Sequence, residues 1–166
     1  MVGSGARNSD TYQVTTPSEN EISMTRLFDA PRELVFEAMT KPEHVKEWWG
    51  RLGEGYSVPV CEIDLRVGGK WRCCMVSPEG KELWLGGVYT EVVAERKVVC
   101  THAWDDDNGK PGHETLLTIA LEDAGGGTKL TLHQAAFDSR ESRDGHRGGW
   151  NECLDKLDAV LREDTR

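Results

Sequence analysis

The sequence has few large aliphatic residues and no long apolar run. Leu, Ile, Val and Phe together make up about a fifth of the 166 residues, which is close to the composition of disordered chains. Six Trp, five Cys and four Met offset this shortage. Because the apolar segments are regularly patterned, we expect a folded domain whose core or cavity is unusually rich in Trp, Cys and Met.

An excess of positive charge is also lacking. The formal net charge is −9, so nucleic acid and anionic membrane surfaces would repel the protein and are not expected as partners. No stretch approaches the roughly 18 apolar residues of a transmembrane helix, and the polar N-terminus has no apolar segment typical of a secretory signal. The sequence therefore predicts a cytoplasmic protein, with its oligomeric state open between monomer and homodimer.

The cysteines lack the spacing of a disulfide framework or a zinc site. Their number is odd, no two stand as C-x-x-C, and the adjacent Cys73 and Cys74 would point to opposite sides of a strand. We therefore predict five reduced thiols and no metal. The five residues are Cys61, Cys73, Cys74, Cys100 and Cys153.

Familiar catalytic and cofactor motifs are absent as well. There is no G-x-S-x-G elbow, and the glycines at 125–127 join two predicted strands instead of preceding a phosphate-binding helix. His102, His133 and Glu114 fall on different predicted strands, so an acid–base pair or a metal site would have to assemble across the sheet. The sequence alone supports no cofactor and no definite enzymatic activity.

Apolar periodicity predicts a strand, two short helices, about six further strands and one long helix. Residues 1–18 are polar and predict a flexible tail, which leaves a single domain over 19–166. The first strand, 21–28, alternates at Ile22 and Met24 and then slips before Leu27. Asp29 and Thr40 stand where they could cap the two short helices.

Period-two alternation assigns faces to most of the later strands. Tyr56, Val58 and Val60 alternate in the next strand, whereas the inner face of 83–92 stays open between two sets. These sets are Trp84, Val88 and Val92, or Leu83, Leu85 and Tyr89. In the final helix, apolar residues recur at helical spacing against a charged face and predict a buried stripe: Trp150, Leu154, Leu157 and Leu161.

The order of short motifs adds a resemblance to this pattern. Phe-Asp-Ala-Pro stands at 28–31, Lys-Pro-Glu-His at 41–44 and Trp-Trp-Gly at 48–50. Gly-Gly-Lys-Trp follows at 68–71, Pro-Glu-Gly at 78–80, Gly-Val-Tyr at 87–89, Gly-Thr-Lys-Leu-Thr-Leu at 127–132 and Gly-Trp at 149–150. Over about residues 20–162 the chain resembles the family related to the C-terminal domain of the activator of the heat-shock-protein-90 ATPase, within the START-like and birch-pollen-allergen-like proteins.

The resemblance implies an α+β helix-grip fold. In it, a curved antiparallel sheet of about seven strands wraps a long C-terminal helix, with two short helices after the first strand. It also implies a cavity between sheet and helix for a small apolar or aromatic ligand, although the same side chains could simply fill a core. Combined with the aromatic residues, it predicts these lining positions: Trp49, Trp71, Cys73, Met75, Trp84, His102, Trp104, Leu117, Phe137, Trp150 and Leu154.

Two other functions are implied by relatives of this fold. Some act as cyclases or hydrolases on aromatic polyketides, which here would require an acid–base pair such as His102 with Glu114 or His133. The family name implies a chaperone partner and a role in stress response. The further N-terminal domain of the eukaryotic activators has no counterpart in this sequence, so a small-ligand protein is the first expectation.

Overall fold

Eight antiparallel strands form one sheet that wraps around the C-terminal helix. A computed structural model describes residues 12–50 and 53–164. Within them the chain order is β1 (Tyr12–Ser18), β2 (Glu21–Phe28), α1 (Arg32–Thr40), α2 (Pro42–Trp48), β3 (Ser57–Ile63), β4 (Lys70–Val76), β5 (Glu82–Val93), β6 (Lys97–Asp105), β7 (Pro111–Ala124), β8 (Gly127–Ala135) and α3 (Arg140–Asp164).

Neighbouring strands in the sheet follow the order β1-β2-β8-β7-β6-β5-β4-β3. Consecutive strands from β3 to β8 are therefore neighbours, and β8 returns to pair with β2. The two short helices connect β2 to the far edge strand β3, and α3 packs on the concave side. This arrangement confirms the predicted α+β helix-grip architecture, with one strand more than expected.

The extra strand corrects the boundary of the predicted tail. Residues 12–18 form β1, which pairs antiparallel with β2 through partners such as Val14 and Met24. The free edge of β2 offers unpaired backbone groups, and a segment containing Val and Thr can satisfy them without a strong apolar pattern. Residues 1–11 of the predicted tail lie outside the described residues.

Strand β2 keeps strict alternation where the sequence predicted a slip. Every second residue from Ile22 to Phe28 is buried, including Arg26, which is only 9% exposed. The Arg26 guanidinium donates to an Asp155 carboxylate oxygen on α3 at 2.9 Å. An inward-facing charge interrupts the apolar pattern without interrupting the strand, because its ion pair with the helix compensates the burial.

The predicted helix caps are wrong in detail. Helix α1 begins after Pro31, with no side-chain cap, so Asp29 does not cap it. Helix α2 begins after Lys41, again without a side-chain cap. The Thr40 hydroxyl instead donates to the Phe36 carbonyl oxygen at 2.6 Å, within the last turn of α1. Thr40 thus belongs to the end of the first helix, because a Ser or Thr hydroxyl can also bond the preceding turn.

The apolar stripe of α3 is confirmed. Its four predicted residues are buried: Trp150, Leu154, Leu157 and Leu161. They meet a core that also contains Met24, Met39, Met75 and several cysteines and tryptophans. Polarizable sulfur side chains and large rings thus supply the volume that scarce Leu and Ile would otherwise provide.

Two β-bulges shift the faces of the strands. In β3 the register slips between Ser57 and Val60, so Cys61 and Ile63 pack toward the core in place of the predicted Val60. In β5 the inner residues before the register shift at Tyr89–Glu91 are Leu85 and Tyr89, and beyond it Val92 packs against the core, so each of the two sets supplies part of the inner face. One extra residue on one strand is enough to exchange its faces.

Candidate functional site

A cavity of about 250 Å³ lies between the N-terminal half of α3 and the concave side of the sheet. The sheet contributes Met75 from β4 and His102 and Trp104 from β6, and Trp49 enters from the end of α2. Helix α3 closes the other side with six residues: Ser142, Gly145, His146, Gly149, Trp150 and Cys153. Four of the six helix residues have a small side chain or none, and the rings of His146 and Trp150 lie among them.

The cavity exists because several residues in the N-terminal half of α3 have a small side chain or none. Ser142, Gly145 and Gly149 lie on one helical face, and a Cβ atom added at Gly145 would meet nothing within 4 Å. Glycine inside a helix is destabilising by about 1 kcal/mol relative to alanine. Gly145 is exposed to solvent as well as lining the cavity, so the cavity reaches the surface beside it.

His146 is held in one tautomer at the cavity wall. Its Nδ1 contacts the Ser142 carbonyl oxygen at 2.7 Å, and its Nε2 accepts the Trp104 indole N–H at 2.8 Å. A carbonyl oxygen can only accept, so the proton must be on Nδ1, and the indole can only donate, so Nε2 is unprotonated. Burial lowers the pKa of His146, against the opposing effects of Ser142 and Asp138, which keeps the ring neutral.

His102 is a deeply buried titratable group in the wall of the cavity. It is 3% exposed, and its ring packs 5.6 Å from that of Trp71, 6.0 Å from that of Trp104 and 5.7 Å from that of His146. Burial, and then the neighbouring His146, lowers the pKa of His102 to about 3. The cavity therefore contains two neutral imidazoles at physiological pH.

A buried polar chain ties α3 to the sheet behind these imidazoles. The Trp150 indole N–H donates to Gln134 Oε1 at 2.8 Å, and Gln134 Nε2 donates to Thr115 Oγ1 at 2.9 Å. Thr115 in turn donates to the His102 carbonyl oxygen at 3.1 Å. Gln134 is fully buried, and its hydrogen bond with Trp150 determines where along β8 the indole of Trp150 packs.

Two further spaces adjoin the cavity at His102. One, of about 70 Å³, runs deeper along β4 to β7 between Trp71, Cys73, Cys100 and Leu117. The other, of about 260 Å³, opens toward solvent at a polar rim. This rim includes Asp106, His113 and Asp138. His102 thus stands between an apolar interior and a polar exit.

The structure distributes the eleven predicted lining residues over three places. Five line the cavity, namely Trp49, Met75, His102, Trp104 and Trp150, whereas Trp71 lines the deeper space and contacts His102. Cys73 and Leu117 also line the deeper space. Phe137 packs 5.0 Å from the His146 ring, and Leu154 lies in the core.

Trp84 does not line the cavity, so its predicted position is wrong. It stands on the outer face of β5, where its indole N–H donates to Glu82 Oε1 at 2.9 Å and the Arg72 guanidinium lies 5.0 Å above its ring. Because Leu85 and Tyr89 take the inner positions, the alternation of the strand turns Trp84 outward.

The acid–base pairs considered from the sequence do not assemble. His133 contacts a carboxylate oxygen of Glu21 at 2.6 Å on the half-exposed surface of β8 and β2. Glu114 pairs in register with Ala103, one position from His102 along β6, and is exposed. Within residues 12–50 and 53–164, no group of three His, Cys, Asp or Glu residues is placed to hold a metal ion.

The sequence reasoning missed His146 and the small residues around it. The sequence contains a pattern that indicates them, because Ser142, His146 and Gly149 extend the stripe of Trp150 toward the N-terminus of the helix at helical spacing. Polar residues and glycines do not contribute to an apolar pattern, so the predicted stripe begins only at Trp150. The sequence also provided no indication of Gln134, because glutamine is usually exposed and a buried amide cannot be distinguished from a surface one by its pattern.

An antiparallel sheet wrapped around a C-terminal helix, with a cavity between them, defines a helix-grip protein of the START-like class. The chain belongs to the family described as Activator of Hsp90 ATPase homolog 1-like protein, whose model matches residues 29–162. A comparison with curated proteins found no match.

Solved structures of similar bacterial proteins share the fold. A Silicibacter pomeroyi protein described as AHSA1 is 29% identical, with a TM-score of 0.77 over 87% of this chain and 99% of its own. A Chromobacterium violaceum protein is 27% identical, with a TM-score of 0.78 over 87% of this chain and 98% of its own. An Arthrobacter aurescens protein is 25% identical, with a TM-score of 0.79 over 91% of each chain.

Proposed function

We propose that the chain binds a small, uncharged aromatic or apolar molecule in the cavity between α3 and the sheet. The observation that carries this proposal is a void beside Gly145 that is walled by the rings of Trp49, Trp104 and Trp150. Apolar concave sites with a few polar groups are the usual form of small-ligand sites. Cytoplasmic location and a monomeric or homodimeric state belong to the same proposal.

The chemistry of the lining selects for a neutral ligand. Among the described residues, those around the cavity include no Asp, Glu, Lys or Arg, and both imidazoles are neutral because of their burial. A charged ligand would lose its hydration without gaining an opposite charge. Both nitrogens of His146 are already engaged, which leaves His102 as the imidazole that orients a ligand hydroxyl or carbonyl.

The volume limits the ligand to about one or two rings. An engineered apolar cavity of about 150 Å³ holds benzene, and this cavity is about 250 Å³. A bicyclic aromatic such as naphthol fits that space, with its hydroxyl directed to the His102 imidazole. Larger ligands would have to displace Trp49 or enter the deeper space past His102.

Fluorescence titration of the tryptophans tests the proposal. Neutral probes, namely indole, 1-naphthol and 2-naphthol, should quench the emission saturably, while naphthalene sulfonate should bind at least about tenfold more weakly, which is about 1.4 kcal/mol. Gly145→Leu should block the cavity and weaken binding by a similar factor. Gly148→Leu is the matched control, because Gly148 lies on the same helix with open space around it but outside the cavity lining.

The outcomes distinguish a ligand-binding cavity from a packed core that binds no ligand. If no neutral probe binds, or if Gly145→Leu and Gly148→Leu bind equally well, the cavity is not the ligand site. Equal affinity for the sulfonate would contradict selection for neutral ligands. Circular dichroism of both variants establishes that they are folded before affinities are compared.

The family description favours one alternative, a chaperone-associated role in stress response. That role predicts direct binding to the heat-shock-protein-90 chaperone and stimulation of its ATPase. Pull-down and ATPase assays with the purified chaperone measure both. A cyclase- or hydrolase-like activity has less support, because the structure brings neither Glu114 nor His133 to His102.

A further inference from the structure

Two cysteines that the sequence separates by a turn face each other in the sheet. Cys61 of β3 is the register partner of Cys73 of β4, and their Sγ atoms are 3.4 Å apart. Directly opposed residues of antiparallel strands have Cα atoms about 4.5–5.5 Å apart, which lies within the range that disulfides accept. A covalent bond would need the two sulfur atoms to approach by roughly 1.4 Å more, a motion that side-chain rotation can supply.

The two thiols differ in exposure and in proton affinity. Cys61 is half-buried on the edge strand, whereas Cys73 is 2% exposed. The Cys73 thiol donates its hydrogen bond to Cys61 Sγ, and this bond lowers the pKa of Cys61, helped by the charge of Lys46 and opposed by burial and by Glu43 and Glu62. The same bond and deep burial raise the pKa of Cys73. The accessible member is therefore the one that ionises first.

The other three cysteines lack these properties. Burial raises the pKa of Cys100 to about 12 and that of Cys153 to about 11. Cys74 is 1% exposed, its pKa is raised by burial, and its thiol points to the Met75 carbonyl oxygen on the other side of β4. Cys61 is the cysteine that combines accessibility, a lowered pKa and a second thiol in contact, which is the environment of reactive cysteines.

We propose that Cys61 and Cys73 form an oxidation site for small hydroperoxides, with Cys61 as the nucleophile and Cys73 as the resolving thiol. The Cys61 thiolate attacks the terminal oxygen of the hydroperoxide, the O–O bond breaks, and the leaving alkoxide or hydroxide takes a proton from water. Cys61 is then a sulfenic acid. Cys73 sulfur attacks Cys61 sulfur, the S–S bond forms, the S–O bond breaks, and the departing hydroxide leaves as water with the proton of Cys73.

The electrons balance within this sequence of steps. Two thiols lose two electrons and become one disulfide, and the hydroperoxide gains them and becomes one alcohol and one water, or two waters from hydrogen peroxide. The product joins β3 to β4. Among the described strands, β3 lies at the edge of the sheet and pairs with β4 alone, so the disulfide attaches the sheet edge covalently. Cys73 also lines the space next to His102, so oxidation changes one wall of the deeper space.

Thiol counting after peroxide treatment tests the site. The reduced native protein, treated with hydrogen peroxide and then catalase, should fall from five free thiols to three and recover all five with dithiothreitol. Peptide mapping should find the bond between Cys61 and Cys73. Cys61→Ser should keep its four remaining thiols, and Cys73→Ser should retain a sulfenic acid at Cys61 that dimedone traps. Cys74→Ser, next to Cys73 but on the other side of the strand, should form the disulfide as the unaltered protein does.

A second measurement separates activation by Cys73 from simple exposure. The rate of Cys61 alkylation by iodoacetamide should fall in Cys73→Ala and be retained in Cys73→Ser, whose hydroxyl can still donate a hydrogen bond. Five thiols remaining at peroxide concentrations that oxidise free cysteine, or a disulfide mapped to another pair, would overturn the proposal. Loss of this selectivity in urea is expected, because the pairing depends on the folded sheet.

Discussion

Trp104 donates its indole N–H to Nε2 of His146 at 2.8 Å and thereby joins β6 to α3 across the cavity. The other imidazole nitrogen is held by the carbonyl oxygen of Ser142, one turn earlier in the helix. The sheet therefore determines the tautomer of a histidine on the helix. Both residues line the cavity, so this hydrogen bond is part of the cavity wall.

Replacing Trp104 should raise the pKa of His146. In Trp104→Phe the unprotonated Nε2 loses its donor, and a hydrogen bond to the neutral form is what disfavours protonation. NMR titration of the imidazole resonances measures this directly, with Trp84→Phe on the outer face as the control. An unchanged or lower pKa of His146 in Trp104→Phe would contradict the assigned tautomer.

The buried amide of Gln134 should contribute to the free energy of unfolding through its two hydrogen bonds. Gln134→Leu leaves the Trp150 N–H without an acceptor and Thr115 without a donor, so we expect a loss of about 1–3 kcal/mol in the free energy of unfolding. Urea denaturation measures the loss. In the double variant with Trp150→Phe the two costs should not add, because both changes remove the same hydrogen bond. Strict additivity would show that the two side chains act independently.

Truncation of the helix stripe should destabilise the fold. Leu157 is fully buried on α3, so Leu157→Ala should lower the free energy of unfolding by about 2–5 kcal/mol. Glu152→Ala, on the exposed side of the same helix, should change it by less than about 0.5 kcal/mol. Chemical denaturation of the two variants gives the comparison. Equal stabilities would mean that this face of α3 does not carry the core.

The buried imidazole of His102 should make the fold sensitive to acid. Its pKa is about 3 in the folded protein because of burial, against about 6.5 in an unfolded chain. The unfolded state therefore binds a proton first as the pH falls, and stability that is complete above about pH 6.5 is lost progressively toward pH 3. The expected contribution is a slope of about 1.4 kcal/mol per pH unit across that window.

A variant without the imidazole isolates this contribution from those of the carboxylates. His102→Phe should reduce the slope of unfolding free energy against pH between about pH 6 and 4 by about 1.4 kcal/mol per unit. Equilibrium denaturation at several pH values supplies both slopes. Parallel curves for the two proteins would mean that His102 is protonated equally in the folded and unfolded states.

Local periodicity predicted most helices and strands, but it predicted the buried face of only some of them. The stripe from Trp150 to Leu161 was predictable because helical spacing depends only on neighbours in the chain. Cys61 was not, because the bulge in β3 exchanges the faces of the strand and leaves no mark in an alternating pattern. Arg26 produced the opposite error, because a charged residue at an inward position made a regular strand look irregular. Its partner Asp155 lies far along the chain, so the sequence pattern could not indicate the ion pair.

The sequence by itself determined the order of strands and helices, the family resemblance and the wealth of Trp, Cys and Met, because these depend on composition and on local spacing. Only the tertiary structure decided which side chains meet. The contacts of His102 with His146, of Trp150 with Gln134 and of Cys61 with Cys73 join different elements. Such contacts follow from strand register and from the placement of α3, which many weak interactions across the whole fold determine together.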